Sequence, residues 1–195
     1  MPETPVKNKI NFGLTKIAYA PVTAITAGVY TYGTPVVLSG SRSVQASKNG
    51  EKFKEWADGA VYFVTSNNSG YNLVIELVQA DEDFRAFALG EQKDVKNVQL
   101  EYGDSKELPH FALLVEFEGD QRKTRRVFYD CTADRPDITG TTYKDNDSLS
   151  SYRDSISIDC TPRPSDKLVT AFTRTDTDST EYASWFSEVY EPTLQ

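Results

Sequence analysis

The sequence has very little of the side chains with which most enzymes and metalloproteins work. It contains one histidine, His110, and two cysteines, Cys131 and Cys160, among 195 residues. A zinc site needs a cluster of cysteine and histidine ligands, which these three residues do not form. The sequence also lacks a nucleophile elbow and a glycine-rich phosphate loop. We therefore expect no enzymatic activity, no cofactor and no metal ion, although a carboxylate pair of the glycoside-hydrolysing kind stays compatible with the sequence.

Long apolar runs are absent as well. No segment approaches the roughly 20 apolar residues of a membrane-spanning helix. The first residues show no basic segment followed by an apolar run, so we expect no signal peptide and no membrane association. Because such a chain would stay in a reducing cytoplasm, we expect Cys131 and Cys160 to be buried free thiols. A disulfide between them is the less favoured alternative.

Positive charge is in deficit. The chain has 21 lysines and arginines against 29 aspartates and glutamates, which gives a formal net charge of −8. A surface of this sign repels phosphates, so the composition argues against a protein that wraps nucleic acid through a positive field.

The residues that are abundant favour β structure. Aromatic residues make up 12% of the chain, mostly tyrosine and phenylalanine, and such side chains suit half-buried strands. The length fits a single domain over residues 1–195. Within it we predict a polar N-terminal arm at 1–11 and a long loop at about 39–59. Alternating or β-prone segments predict strands at 13–22, 29–38, 61–66, 71–79, 95–102, 111–118, 127–133, 152–161 and 167–174.

Turn and helix-capping signals complete this fold prediction. Asn67 to Gly70 has the composition of a hairpin turn between two of the strands. Asp81 can cap a short helix that buries Phe84, Phe87 and Ala88 and ends at Gly90. Asp178 with Glu181 predicts the start of a second helix near the C-terminus, which Pro192 stops. The predicted fold class is mainly β: a β-sandwich or open barrel with one short helix at its side and a C-terminal helix.

Several segments, in order, resemble one known family, the phi13-type major tail tube proteins of phages with long non-contractile tails. The resemblance covers most of the chain and is weakest over 39–59. The segments that carry it are Asn11-Phe12-Gly13-Leu14, Ala18-Tyr19-Ala20, Gly70-Tyr71, Asp83-Phe84-Arg85, Phe111 to Phe117, Arg126 to Ala133, Arg135-Pro136, Tyr182 to Phe186, Val189-Tyr190 and Pro192.

The resemblance implies a fold of the tail tube type and a structural role. Members of the family form six-membered rings in which strands of neighbouring subunits join into one barrel around a lumen. The rings stack through arms and long loops, and the tube conducts phage DNA into the host. The implied partners are further copies of the chain, a tape measure protein inside the tube, and tail terminator and distal tail proteins at its ends. The implied location is the virion, after synthesis in the host cytoplasm.

Four acidic residues lie out of phase with the apolar faces of their strands: Glu76, Glu116, Glu118 and Asp130. One interpretation is a negative lumen wall to which phosphates do not adhere. The alternative is an ordinary solvated strand face. The basic cluster Arg122, Lys123, Arg125 and Arg126 has three interpretations: a solvated hairpin tip or strand start, which we favour, docking to the next ring, or DNA binding.

Two large apolar residues, Phe53 and Trp56, fall within the predicted loop. They either fold back onto their own domain or insert into a neighbouring subunit. Two other functions stay open from the sequence. One is a carbohydrate-binding β-sandwich of a virion or cell surface, which would use exposed tyrosines as a platform. The other is a tube of a secretion system with a related fold.

Overall fold

The computed structural model describes residues 7–103, 107–138 and 152–193. Over these residues the chain is mainly β, as predicted, with two short helices. The strands are β1 (Asn11–Thr26), β2 (Val29–Tyr32), β3 (Val36–Leu38), β4 (Ser41–Asn49), β5 (Lys52–Ala57), β6 (Ala60–Ser66), β7 (Gly70–Leu77), β8 (Gln92–Lys93), β9 (Gln99–Leu100), β10 (Phe111–Gly119), β11 (Thr124–Ala133), β12 (Asp154–Thr161) and β13 (Thr170–Phe172). The helices are α1 (Glu82–Ala88) and α2 (Ser179–Ser184).

One large antiparallel sheet organises the chain. Its strands follow the order β2, β1, β10, β11, β12, β7, β4, and β3 and β13 pair with β1 and β11. Alternation of apolar and polar residues explains the clearest strands, because it lets one face enter the core while the other meets water. In β12 this alternation is complete: Ile156, Ile158 and Cys160 are buried, and the residues between them are exposed.

Both faces are covered in β10, in β11 and in the middle of β1, at Ile17 to Ala20. One face contributes to the main core, in which Leu113, Val115 and Phe128 pack with Phe84 of α1. The opposite face packs Leu114, Val127 and Tyr129 beneath Trp185 of the C-terminal chain. This double burial explains why β10 begins as a continuous apolar run, Phe111 to Val115, and does not alternate strictly.

The predicted loop at 39–59 is wrong. Most of it forms β4 and β5, and these strands belong to one long interrupted hairpin in which β4 pairs with β7 and β5 pairs with β6. Backbone hydrogen bonds from Asn67 N to Glu51 O (3.0 Å) and from Ser69 N to Asn49 O (3.0 Å) connect the two ladders. Asn67 to Gly70 is therefore a junction within the returning arm and not a turn between β6 and β7.

The N-terminal arm predicted at 1–11 is partly wrong. Residues 1–6 lie outside the described residues, but Asn8 is tied to the turn between β10 and β11. Its side-chain amide donates to Arg122 O at 2.6 Å, and its side-chain oxygen accepts from Arg122 N at 3.0 Å. Lys9 N also donates to Asp120 Oδ1 at 2.8 Å. These bonds join the chain before β1 to the adjacent turn between β10 and β11.

Both helices begin where they were predicted, but α2 ends at Ser184 and does not continue to Pro192. Phe84 and Ala88 of α1 are buried, and Gly90 adopts a φ of 70° just after the helix, as a helix-ending glycine often does. Asp81 precedes α1 without capping it through its side chain, which instead accepts from Ser39 N at 3.3 Å. Asp178 does cap α2, because its side chain accepts from Thr180 N at 2.8 Å. α2 is short, and Trp185 follows it into the core.

The prediction of free thiols is also wrong. Cys131 of β11 lies directly opposite Cys160 of β12, and the two form a disulfide. Both residues are buried. The expectation failed because it rested on an expected cellular compartment, whereas strand pairing brings the two cysteines together.

Candidate assembly surface

The strands β5 and β6, which we call the distal hairpin, are exposed on both faces. Six of its large apolar side chains are at least 40% exposed: Phe53, Trp56, Val61, Tyr62, Phe63 and Val64. The highest values are 79% for Tyr62 and 62% for Trp56. An isolated two-stranded hairpin is marginally stable in water, and exposed apolar clusters mark interaction sites. The distal hairpin therefore has the character of a surface that a partner covers.

The register divides these side chains between the two faces of the distal hairpin. Residues directly opposite one another in an antiparallel pair lie on the same face. Glu55 lies opposite Phe63, and Lys54 lies opposite Val64. Trp56 lies opposite Val61 after an irregularity that displaces Tyr62 from the pairing. Each face thus combines apolar groups with charge, so neither face resembles the dry side of a folded sheet.

Phe53 and Trp56 do not fold back onto the rest of the chain. Phe53 is 54% exposed and lies on a regular strand. Of the two alternatives in the sequence, folding back is thus wrong for the described chain. Insertion into a neighbour stays a prediction.

A second surface lies on the outward side of β4, β7 and β12. Cross-strand pairing places three residues of each strand in a lattice, which we call the polar face: Ser43, Gln45, Ser47, Asn72, Val74, Glu76, Ser155, Ser157 and Asp159. Most of these residues are exposed, while their chain neighbours Leu73, Ile75, Ile156 and Ile158 are buried in the core. The polar face consists mainly of hydroxyls and amides, and its nine positions hold no lysine or arginine.

Only one of the four predicted lumen residues, Glu76, lies on the polar face. It accepts a hydrogen bond from Ser43 Oγ at 3.0 Å, and Arg153 approaches it at 3.9 Å. Glu118 lies on another part of the sheet, where it is partly exposed and lies 3.3 Å from Lys123 Nζ. The structure therefore does not bring the four carboxylates together into one wall.

Glu116 is buried, so the prediction of an exposed carboxylate is wrong for this residue. Its oxygens lie 2.7 Å from Arg125 Nε and 3.4 Å from Lys123 Nζ. It occupies the face of β10 that the C-terminal chain covers, and only 3% of it is exposed. A charged carboxylate tolerates such burial when cations and hydrogen bonds balance it.

Asp130 is buried as well, so its assignment to an exposed wall is also wrong. One oxygen lies 2.5 Å from His110 Nδ1. The other accepts from Tyr30 Oη at 3.1 Å and from Thr161 Oγ1 at 3.2 Å. Burial, followed by the charge of Asp130, raises the pKa of Tyr30 to about 12. This network joins β2, β10, β11 and β12, and it accounts for the single histidine of the chain.

The basic cluster contacts the protein's own C-terminal segment, residues 174–193. The guanidinium carbons of Arg122 and Arg125 lie 3.6 and 3.8 Å from the ring centre of Tyr182. Arg122 also donates to Thr177 O at 2.9 Å, and Arg126 lies over the Phe172 ring at 4.8 Å. Arg125 donates to Tyr182 O as well. All four residues lie at the β10–β11 turn or at the start of β11, as the favoured interpretation predicts, but they are half-buried and engaged within the chain, so their solvated character is wrong.

The end of the C-terminal segment is held by Arg163, which sequence reasoning missed. Arg163 is buried and lies 2.7 Å from Glu191 and 2.6 Å from Asp166. Despite the opposing effect of burial, hydrogen bonds to Asp166 and Glu191 raise the pKa of Arg163. Tyr129 Oη also donates to Tyr190 O at 2.8 Å. Arg163 lies between Pro162 and Pro164, a pattern that suggests only a strand break. No local signal could therefore have revealed that Arg163 holds the C-terminal segment.

Over the residues that the structure describes, no group of three or more histidine, cysteine, aspartate or glutamate side chains is placed to hold a metal ion. Neither helix in the described ranges is long and apolar enough to cross a membrane. Models of known protein families give no match to this chain, and a search among curated proteins gives no significant match.

Proposed function

We propose that this chain is the repeating subunit of a phage tail tube, which joins copies of itself into stacked six-membered rings around a channel for DNA. The proposal begins from the family resemblance of the sequence. The observation that carries it furthest is the distal hairpin, which exposes aromatic and aliphatic side chains on both of its faces. A subunit made to polymerise needs such a surface, whereas a monomer gains nothing from it.

The distal hairpin is the assembly element in this proposal. Two-stranded ribbons gain stability when further strands or side chains cover them. A second copy of the chain is the simplest partner, because every subunit of a ring presents the same hairpin and the same acceptor surface. The contact is head-to-tail, so the rotation between subunits must close into a ring. Phe53 and Trp56 are the anchors that we expect to be buried between subunits.

The polar face is the wall of the channel in this proposal. It replaces the group of four acidic residues, of which it retains Glu76. A DNA conduit must not hold phosphates, and lysine or arginine on its wall would do so by displacing counterions. A lattice of serine, asparagine and glutamine with two carboxylates, Glu76 and Asp159, offers water-like contacts, and the charge of Arg153 beside it faces Glu76 at 3.9 Å. A reconstruction of the assembled tube would test this placement directly.

The test is polymerisation of the purified protein. We expect hollow rods in negative-stain electron microscopy of concentrated wild-type protein. The double variant Phe53→Ser/Trp56→Ser should remain folded, with a nearly unchanged melting temperature, but should lose most of the rods. The matched control is Val95→Ser/Val98→Ser, which replaces two exposed valines outside the distal hairpin. The control should form rods as the wild type does.

Other outcomes would contradict the proposal. A protein that stays monomeric at all concentrations, and that binds a glycan through Trp56 and Tyr62, would favour the carbohydrate-binding alternative. Rods that form equally well from the Phe53→Ser/Trp56→Ser variant would remove the distal hairpin from the assembly contact. Genes for a secretion apparatus beside this one would favour the related secretion tube.

A further inference from the structure

The large sheet has a narrow seam between β11 and β12. In the described part of the chain this ladder joins four residue pairs, Asp130 to Ala133 with Ile158 to Thr161. The neighbouring ladders are longer: β12 pairs with β7 from Asp154 to Cys160, and β10 pairs with β11 from Phe111 to Phe117. The seam is short because β13 occupies the same edge of β11 at Arg126 to Phe128.

The seam separates two halves with different surfaces. On one side, β1, β10, β11 and β13 carry the C-terminal segment. On the other side, β12, β7 and β4 carry the polar face and lead into the distal hairpin. Besides the ladder, two hydrogen bonds cross the seam, from Asp134 N to Ser157 O at 2.8 Å and from Thr161 Oγ1 to Asp130 Oδ2 at 3.2 Å, together with the edge contact between the rings of Tyr71 and Phe128. A change in the seam would therefore move the proposed wall relative to the rest of the subunit.

The cysteine pair lies within this seam. Cys131 and Cys160 form the second of the four residue pairs, and both side chains belong to the main core. An oxidant reaches sulfurs buried in this way when the short ladder opens locally. Once the ladder has closed again, the covalent bond holds β11 to β12 even when the hydrogen bonds around it break.

We propose that Cys131 and Cys160 are an oxidation site that locks the seam after the chain has folded. The order of events rests on the proposed function, because a tube subunit is made in a reducing cytoplasm and then leaves the cell. The oxidant is a small-molecule disulfide or a thiol oxidant of equivalent chemistry. One cysteine thiolate attacks the small disulfide and releases one small thiol. The second cysteine thiolate then attacks the mixed disulfide, forms the Cys131–Cys160 bond and releases the second small thiol.

The lock should raise the stability of the folded subunit. The bond closes a loop with a sequence separation of 29 residues, which restricts the unfolded chain. For a domain of this size, the loop-closure relation corresponds to a rise in melting temperature of about 10 °C. The rise should be accompanied by slower hydrogen exchange at the backbone amides of β12, because opening of the seam is then blocked.

The experiment compares reduced and oxidised full-length protein. Protein purified with a reductant and alkylated in denaturant should carry two alkyl groups. After incubation with oxidised glutathione it should carry none, keep no glutathione, and melt about 10 °C higher. The control is Cys131→Ala/Cys160→Ala, whose melting temperature should not respond to reductant or oxidant. A single variant, Cys160→Ala, should retain a glutathione adduct or a free thiol and should show no rise.

Two results would overturn this inference. One is a wild-type protein that keeps both thiols after prolonged oxidation in the folded state. The other is a disulfide that forms but leaves the melting temperature and the exchange of β12 unchanged. Rod formation is scored separately on the same samples. A chain that forms the lock but no rods would refute the proposed function, together with the order of events that rests on it, while the site itself would stand.

Discussion

The distal hairpin and the three strands β1, β10 and β11 contain similar apolar residues in opposite environments. In the three strands, valine, leucine and aromatic side chains are covered on both faces within one chain. In the distal hairpin, the same kinds of side chain face water on both sides. Apolar content therefore does not distinguish a core from an uncovered surface. What distinguishes them is whether the same chain supplies the cover.

The largest expected effect comes from breaking the covered region. Leu114 is fully buried beneath the C-terminal segment, so Leu114→Ala should lower the free energy of unfolding by about 3–4 kcal/mol. Val64 of the distal hairpin is 47% exposed, and Val64→Ala should cost the monomer less than about 0.5 kcal/mol. Urea unfolding of the two variants measures both values. Equal losses would mean that the distal hairpin is packed in the monomer, which would contradict the difference between the two regions.

A buried charge gives the next largest effect and tests why the C-terminal segment stays in place. Glu116→Gln removes the charge that faces Arg125 and Lys123, and we expect a loss of about 2 kcal/mol. Glu118→Gln makes the same chemical change at a partly exposed residue bound to the same lysine, and it should cost less than about 1 kcal/mol.

Chemical denaturation at neutral pH compares these two glutamate variants. Limited proteolysis adds a readout of the C-terminal segment, which should be cleaved faster in Glu116→Gln than in Glu118→Gln. Equal behaviour of the two variants in both assays would contradict a special stabilising role for the buried charge of Glu116.

The smallest effect is expected from pH at the ion pair of Arg163. The hydrogen bond from Arg163 holds the pKa of Asp166 below its ordinary value. A carboxylate of lowered pKa stabilises the fold above the ordinary pKa of aspartate, about 3.9, and this stabilisation is lost as pH falls through the lowered value. Because Asp166 is partly exposed, the contribution should stay below about 1 kcal/mol.

The measurement for Asp166 is the difference in unfolding free energy between the wild type and Asp166→Asn. The difference should be present at neutral pH and should shrink towards zero in strong acid. A difference that grows as pH falls would contradict the assigned ion pair, because the sign of the linkage would then be reversed.

Local patterns predicted some elements well because those elements obey one rule along their length. β12 alternates strictly, and α1 places Phe84 and Ala88 on one stripe, so period alone identifies them. Asp178 was predictable as a cap because its role depends on amides two and three residues away. β4 was missed because its sequence, Ser41 to Asn49, is mostly polar, with only Val44 and Ala46 apolar, and so resembles a loop. Its strand form depends on pairing with β7.

The candidate site was harder to predict because the burial and position of its residues depend on residues far away in the sequence. Glu116 looks like a solvent-facing strand residue until Arg125, which packs against Tyr182 of the C-terminal segment, is placed beside it. Phe53 and Trp56 were recognised as unusual from the sequence, but their position on a regular, uncovered strand required the hairpin register. The polar face, which we propose as the wall, forms only where three strands from separate parts of the chain lie side by side.

The sequence by itself determined the class of this protein: a mainly β chain with two short helices, poor in catalytic side chains and negative in charge. These properties depend on composition and on sequence patterns that repeat every two to four residues, and both can be read from residues close together in the chain. Tertiary structure alone decided which carboxylates are buried, that Cys131 meets Cys160, and which apolar residues remain uncovered. Each of these depends on contacts between residues far apart in the chain, and the energy of such contacts is set by packing and strand register, which no local pattern contains.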